Sequence, residues 1–436
     1  MNEFTQIQVS VLNELFENFN INKINYCILR NYEKIPEDIG NDIDFLISSK
    51  DNKTIEKIIS KTFSKYNFVL LKKNKRIGYT GFYFIHKSSN EILLLDFFSS
   101  LQKQWYQYAD VEYILKNKLK YKNFYVPTRG SELYTVVLKD LLTYNLFREK
   151  NHDLLKSLNS TIKKDFIDTG LKYLDITILE NIYSSLENLK SIPPKKEIFN
   201  NLKQNSNFSD LIKYTYYRAK EIFINLIFNK LYFISIIGPD GVGKSTVTSN
   251  LKKDLSAKNL FKNILDIHHR FEYLPNISIL LKRNKKVEEN NEIQRTNPNS
   301  KHSAIRTLIY VIYYSIDFIL GYFKVLKYKA NGDLIIADRY YYDFYLQKHY
   351  DKLPSYIKRF FYLFIPKPNL IFFLSANAED IYKRKYELTL EETQEQNKRC
   401  LEIIKKFEGN VIDANKDALE VNEQIKDIIY KRMINE

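Results

Sequence analysis

The sequence predicts an α/β protein of two domains, the second built on a parallel sheet. Two observations carry the second domain. From residue 231 onward short apolar runs alternate with helical patterns, the order that a parallel sheet with crossover helices requires. Within that region "LYFISIIGPDGVGKSTVTSNL" joins an apolar strand to a helix through a glycine-rich loop. A third observation separates the first domain: before residue 145, strand-like runs bounded by turn residues precede a long helical stretch, which predicts an α+β domain with a helical extension. The predicted boundaries are 1–145, 146–229 and 230–436.

The elements follow in order. Residues 3–20 place Val9, Leu12, Leu15, Phe16 and Phe19 at helical spacing. "YCILR" reads as a buried strand, "NYEKIPEDIG" as a turn region and "DIDFLI" as a second strand. "GYTGFYFIHKSSNEILLLDFF" predicts a hairpin whose apolar second strand reaches Asp96. Helical patterns run from Glu132 to Lys190, break at "SIPPKKE" and resume to about Asn229. In the second domain, strands are predicted at "LYFISII", near His268, at "DLIIADRYYYD" and at "PNLIFFLSA". Residues 282–303 are charged and lack periodicity, which predicts a mobile loop.

Composition narrows the function classes. The 436 residues are 44% hydrophobic and 27% charged, enough for packed cores. The net charge of +15 suits an anionic partner, but the basic residues are spread along the whole chain, which speaks against nucleic acid. Two cysteines, Cys27 and Cys400, exclude a disulfide framework and a thiolate zinc site within the chain. "MNEFTQIQVSVLNELFENFN" lacks the apolar core of a signal peptide, so a cytoplasmic location is expected. The run from Leu308 to Leu326 approaches the length of a membrane span, yet Asp317 lies at its centre, where a charge costs about 3 kcal/mol. A buried helix is expected there, without stable membrane insertion. Homo-oligomer formation stays open.

Gly238 to Ser245 satisfies G-x-x-x-x-G-K-[ST] between a strand and a helix. Glycines let the backbone curl, so that successive N–H groups and the helix N-terminus face phosphate oxygens. Gly238, Asp240, Gly241, Val242, Gly243, Lys244, Ser245 and Thr246 form the candidate cradle. Lys244 supplies charge at the β- and γ-phosphates and Ser245 a ligand for Mg²⁺.

"GPDGVGKST", "LIIADRYYYD" and "PNLIFFLSANAEDIYKRK" resemble the thymidylate kinase-like branch of P-loop kinases, over about 230–430. The resemblance implies ATP as donor and a small acceptor that is a monophosphate or a hydroxyl compound. It also implies catalytic roles for Lys244, Asp338, Arg339, Asp240 and Arg384: Asp338 near Mg²⁺ and the acceptor, Arg339 on phosphates, Asp240 facing the acceptor, and Arg384 with Lys385 on a lid. Arg270 is a further candidate for acceptor contact. "HHRFEYLP" stands where thymidylate kinases carry an Arg-Glu-Pro-Gly-Gly-type segment, which puts thymidine monophosphate in doubt.

Asp42 and Asp44 lie two residues apart, so on a strand their carboxylates share a face. Asp96, ending the apolar run "EILLLDFF", is placed to complete a two-metal set. "YCILR", "NDIDFLI" and "LLLDFF" resemble the nucleotidyltransferase fold of the DNA polymerase beta superfamily, over about 20–140. That resemblance implies Asp42, Asp44 and Asp96 as metal ligands. The superfamily's Gly-Ser before the aspartates is missing here, and Arg30 or Gly40 are the candidate substitutes. The pair of domains resembles proteins of bacterial surface-polysaccharide pathways.

The expectation is an ATP- and Mg²⁺-dependent kinase acting on a nucleotide-, sugar- or polyol-like acceptor, with a nucleotidyltransferase-like module before it. Two other classes stay open: a nucleic-acid end-processing enzyme, and a non-enzymatic ATP-binding regulatory module.

Overall fold

The first strands of the chain build a five-stranded sheet in the order β1-β2-β5-β4-β3. They are β1 (Tyr26–Ile28), β2 (Ile43–Ile47), β3 (Phe68–Arg76), β4 (Tyr79–His86) and β5 (Ile92–Phe98). The computed structural model describes residues 3–187, 195–277, 304–384 and 389–434, and the chain divides into two compact units, Met1–Glu221 and Ile222–Glu436. In the first unit β2 and β5 run parallel, while the other neighbours are antiparallel.

Helices cover both faces of this sheet because its central strands carry apolar residues on both faces, with Asp44 interrupting β2 and Asp96 interrupting β5. On one face α1 (Glu3–Ile21) and α2 (Asn52–Lys65) bury Phe16, Phe19 and Phe63 in a core with Phe45 and Phe97. The last two rings stack with centroids 4.7 Å apart. On the other face Cys27 and Leu46 pack with the helices that follow. The short α3 (Val111–Lys116) leads to α4 (Arg129–Tyr144), α5 (Ser160–Gly170), α6 (Ile176–Glu187) and α7 (Lys195–Gln204). Leu133, Val137, Ile182 and Leu202 from these helices share one core with the sheet, so the helical stretch beyond residue 145 is packed as part of this unit as far as α7. Two small hairpins lie between, β6 (Leu101–Lys103) with β7 (Tyr106–Ala109) and β8 (Leu119–Tyr121) with β9 (Phe124–Val126).

Pattern reading passed over β3 for a physical reason. "FVLLKKNKR" turns basic along its length because it is the sheet's edge, and lysines there discourage further strand pairing. A second difference concerns Asp42. Strand β2 begins at Ile43, so Asp42 stands on the turn before the strand and Asp44 within it.

After α8 (Phe208–Phe228), the second unit carries a five-stranded sheet of order β11-β12-β10-β13-β14, parallel throughout. Its strands are β10 (Phe233–Ile237), β11 (Ile264–His268), β12 (Leu334–Asp338), β13 (Leu370–Ser375) and β14 (Asn410–Asp413). The crossover α9 (Lys244–Ala257) follows β10 directly. The segment 282–303, expected to be a loop, lies outside the described residues.

The apolar run around Asp317 forms two helices, Ala304–Leu320 and Tyr322–Asn331, and together they are long and apolar enough to cross a membrane by length and composition. Asp317 is nevertheless fully buried by protein. Its carboxylate accepts from the backbone N–H of Leu274 at 2.7 Å and of Glu272 at 3.1 Å, with the Arg270 guanidinium 3.6 Å away. At the junction of the helices, a Cβ on Gly321 would stand 2.1 Å from the Phe271 ring, so only glycine admits this approach. Asp317 therefore anchors the turn after β11. Asp317→Ala leaves a buried guanidinium and two N–H groups without their partner, and a loss of about 3 kcal/mol or more in urea unfolding is expected.

Candidate functional site

Three strands of the second unit end together. Parallel register sets Asp338 of β12 level with Ile236 of β10 and His268 of β11. The loop Gly238–Gly243 begins just beyond β10, at the carboxyl edge of the sheet, where crevices of open α/β sheets form. Gly241 and Gly243 hold φ of 89° and 104°, which side-chain-bearing residues rarely adopt. At Gly238 a Cβ would meet Val242 Cγ1 at 2.9 Å and the Leu374 carbonyl oxygen at 3.1 Å, so the loop can lie down onto β13.

Lys244 opens α9 and is buried beneath the loop. Its ammonium donates to the carbonyl oxygens of Gly238 at 2.9 Å and Pro239 at 2.8 Å, and lies 3.5 Å from Asp240 Oδ1. Burial and the nearby Arg339 weaken its basicity, while Asp240, Asp338 and Asp343 act the other way. Arg339 donates to Asp240 through Nη2, and its φ of 72° shows a backbone turning sharply as it leaves β12. Ser245 and Thr246 are exposed in the first turn of α9.

Asp338 is buried; its Oδ1 has no hydrogen-bond partner and its Oδ2 lies 3.2 Å from His268 Nδ1. Burial works against its charge, yet the His268 hydrogen bond, Lys244 and Arg339 outweigh it and hold the carboxyl below its ordinary range. Beside it His269 Nδ1 is 3.0 Å from Asp343 Oδ2. The structure thus joins Lys244, Asp240, Asp338 and Arg339, and adds the two histidines and Asp343. The doubled histidine at a strand end was the only hint of this pairing in the sequence.

Arg270 and Arg384 are the remaining expected contributors. Arg270 is engaged by Asp317, the Leu274 carbonyl, Asn276 and the Tyr314 ring, so its role here is to fix the turn after β11. Arg384 is the last residue of the helix Ala378–Arg384, and Lys385 lies outside the described residues.

The first unit holds a second cluster. Parallel pairing sets Asp44 of β2 directly beside Asp96 of β5, and carboxylate oxygens of Asp42, Asp44 and Asp96 all come within 4.8 Å of one another. Arg30 reaches Asp44 Oδ2 through Nε and Nη2, and Tyr79 donates to Asp96 Oδ1 at 2.8 Å. Gly81, opposite Asp96, leaves room for the Tyr79 hydroxyl, which a Cβ there would approach to 2.3 Å. Gly40 has φ of 62° in the preceding turn. Lys139 of α4 feels the charges of Asp44, Asp42 and Asp96, and burial lowers its basicity. No local pattern marks Lys139, because only the packing of α4 on the sheet brings it there.

The class that fold and geometry define is a mixed α/β protein with a parallel five-stranded sheet bearing a glycine loop at its carboxyl edge. No family model matches the chain, and no curated protein matches it. Among solved structures it is similar to thymidylate kinase from Ehrlichia chaffeensis, at 18% identity and a TM-score of 0.32 over 45% of this chain and 97% of that one. That likeness is weak, and the functional reading rests on the residues themselves.

Burial, then Asp44, push the Asp96 carboxyl up to about 7, although the Tyr79 hydrogen bond opposes them. An unfolded chain would titrate it at about 3.9. The folded form therefore keeps a proton that the unfolded form loses, and stability from Asp96 is complete below about pH 4 and lost as pH rises through about 7. In divalent-free buffer the melting temperature should fall by several degrees between pH 5 and pH 8. Asp96→Asn should flatten that fall, and a variant profile as steep as the parent's assigns it to another group.

Proposed function

We propose that the Ile222–Glu436 unit is an ATP-dependent phosphotransferase acting on a small molecule. The observation that carries this reading is the meeting of Lys244, Asp240, Asp338 and Arg339 at one edge of a parallel sheet, beside a loop with two positive-φ glycines. Backbone N–H groups of Gly241 to Ser245 and the α9 N-terminus would receive the β- and γ-phosphates. Lys244 would exchange its loop carbonyls for phosphate oxygens, and Arg339 would neutralise charge developing on the transferred group. Asp338, with one buried oxygen lacking a partner, and the Ser245 hydroxyl fit the needs of a Mg²⁺ ion. Such an ion supplies charge neutralisation on the phosphates. Asp240 and the His269–Asp343 pair would orient the acceptor, whose hydroxyl or phosphate oxygen takes the γ-phosphoryl group as ADP leaves.

The first unit carries a second reading. Asp42, Asp44 and Asp96 form a donor set suited to Mg²⁺, and Arg30 and Lys139 add positive charge beside it. This combination favours nucleotidyl transfer, with both units serving one pathway of activated-precursor synthesis, such as that of surface polysaccharides. The parallel pairing of β2 with β5 supports the fold class that this chemistry uses.

Lys244→Ala should lower acceptor-dependent ATP turnover by at least about a hundredfold, measured across nucleoside monophosphates, sugars and polyols. Turnover that survives the substitution removes the loop from catalysis. Tight ATP binding without turnover on any acceptor would instead favour a binding module. For the first unit, transfer of label from an α-labelled nucleoside triphosphate, measured in the Lys244→Ala chain, should be lost with Asp44→Asn. Undiminished labelling would sink that assignment.

A further inference from the structure

Away from the glycine loop, the second unit contains a cavity of about 310 Å³. Its walls are the short Asp343–Leu346 helix, the 3₁₀ turn Lys348–Lys352, the helix Ser355–Leu363 and the helix Leu390–Phe407. None of Lys244, Asp240, Asp338 or Arg339 lines it. The volume falls at the small end of ligand pockets, with room for a phosphoryl group and a compact body that carries it.

Its walls carry both signs, four cations against three carboxylates, a net positive charge of one. Asp351 and Glu395 are both taken by Arg399, which grips Asp351 through two nitrogens at 2.7 and 3.1 Å and Glu395 at 3.0 Å. That group retains one negative charge, so Lys358, Lys398 and Lys406 stand against it and Glu402 on the walls. Lys358 is the built part, at 5% exposure. Its ammonium makes one long hydrogen bond, 3.4 Å to the Tyr350 carbonyl, lies 5.2 Å from the Tyr345 ring and has no ion pair among the described residues. Burying an ammonium is costly, and burial lowers the basicity of Lys358, with the Asp351 carboxylate opposing it and Arg399 and Lys406 adding to it. The Tyr345 hydroxyl, on the short helix that also lines the cavity, is buried with no hydrogen-bond partner. Lys406 stands 4.6 Å from the Tyr345 ring, on the exposed side. Three groups with donors to spare, converging on one cavity, suit an anion with several acceptor oxygens.

We propose that this cavity is a second ligand site, binding a small phosphorylated metabolite through Lys358, Lys406 and the Tyr345 hydroxyl. The site is independent of the reading given for the glycine loop. An occupant would link the segment bearing Asp343 to the Leu390–Phe407 helix.

The test uses the full chain carrying Lys244→Ala, so that the loop contributes no phosphate binding. Calorimetric titration with glucose 6-phosphate should show binding that inorganic phosphate displaces. Lys358→Met should weaken it about tenfold or more, the effect of losing one charge-assisted hydrogen bond. Lys406→Gln, a surface change that leaves folding intact, should weaken it severalfold. Absence of binding at millimolar ligand, failure of phosphate to displace it, or an affinity unchanged by Lys406→Gln overturns the proposal.

Discussion

Strand β12 is paired on both sides, and its register with β10 and β11 is the constraint on which the second unit's site depends. All five residues of β12 are buried, so the strand cannot slip without moving apolar side chains out of the core and Asp338 away from His268. With the register fixed, Asp338 emerges level with the end of β10, and the chain after each strand turns into the same crevice. The sharp turn at Arg339 then aims its guanidinium at Asp240 across the loop. Lys244, beneath that loop, completes a cluster in which each charge has an opposite neighbour. Such a cluster is costly to bury and easily rearranged by an incoming polyanion, as the proposed phosphotransferase reading requires.

Buried charge recurs through the molecule with different consequences. Asp317 is satisfied by two backbone N–H groups and the Arg270 guanidinium, and it serves to hold the turn after β11. Asp44 is held by Arg30, whereas Asp96 is buried beside carboxylates, and its proton is retained to higher pH despite the Tyr79 hydroxyl and Lys139. Lys358 has a single long hydrogen bond. The contrast separates charges that stabilise architecture from charges whose satisfaction is left to a ligand, a proton or a cation.

Much of this was legible beforehand. The glycine loop, its flanking strand and helix, and the Asp338–Arg339 pair follow from local pattern, because backbone freedom and strand ends are encoded within a few residues. The paired strands leading to Asp96 were legible for the same reason: alternation and turn residues are short-range signals. Strand β3 was hidden by its edge lysines, and Arg270 read as an acceptor contact because the sequence does not say that Asp317, 47 positions later (317 − 270), would be folded against it.

By itself, then, the sequence determined the α/β class and the strand, glycine loop and helix around Lys244, and it singled out the three aspartates, since these depend on residue type and spacing along one strand or loop. Tertiary structure decided which charges meet: His269 with Asp343, Lys139 facing the aspartates, Arg270 with Asp317, and Lys358 at the foot of a cavity. Those choices come from strand register and helix packing over long separations, where the energy of a buried charge depends on neighbours that no local pattern can name.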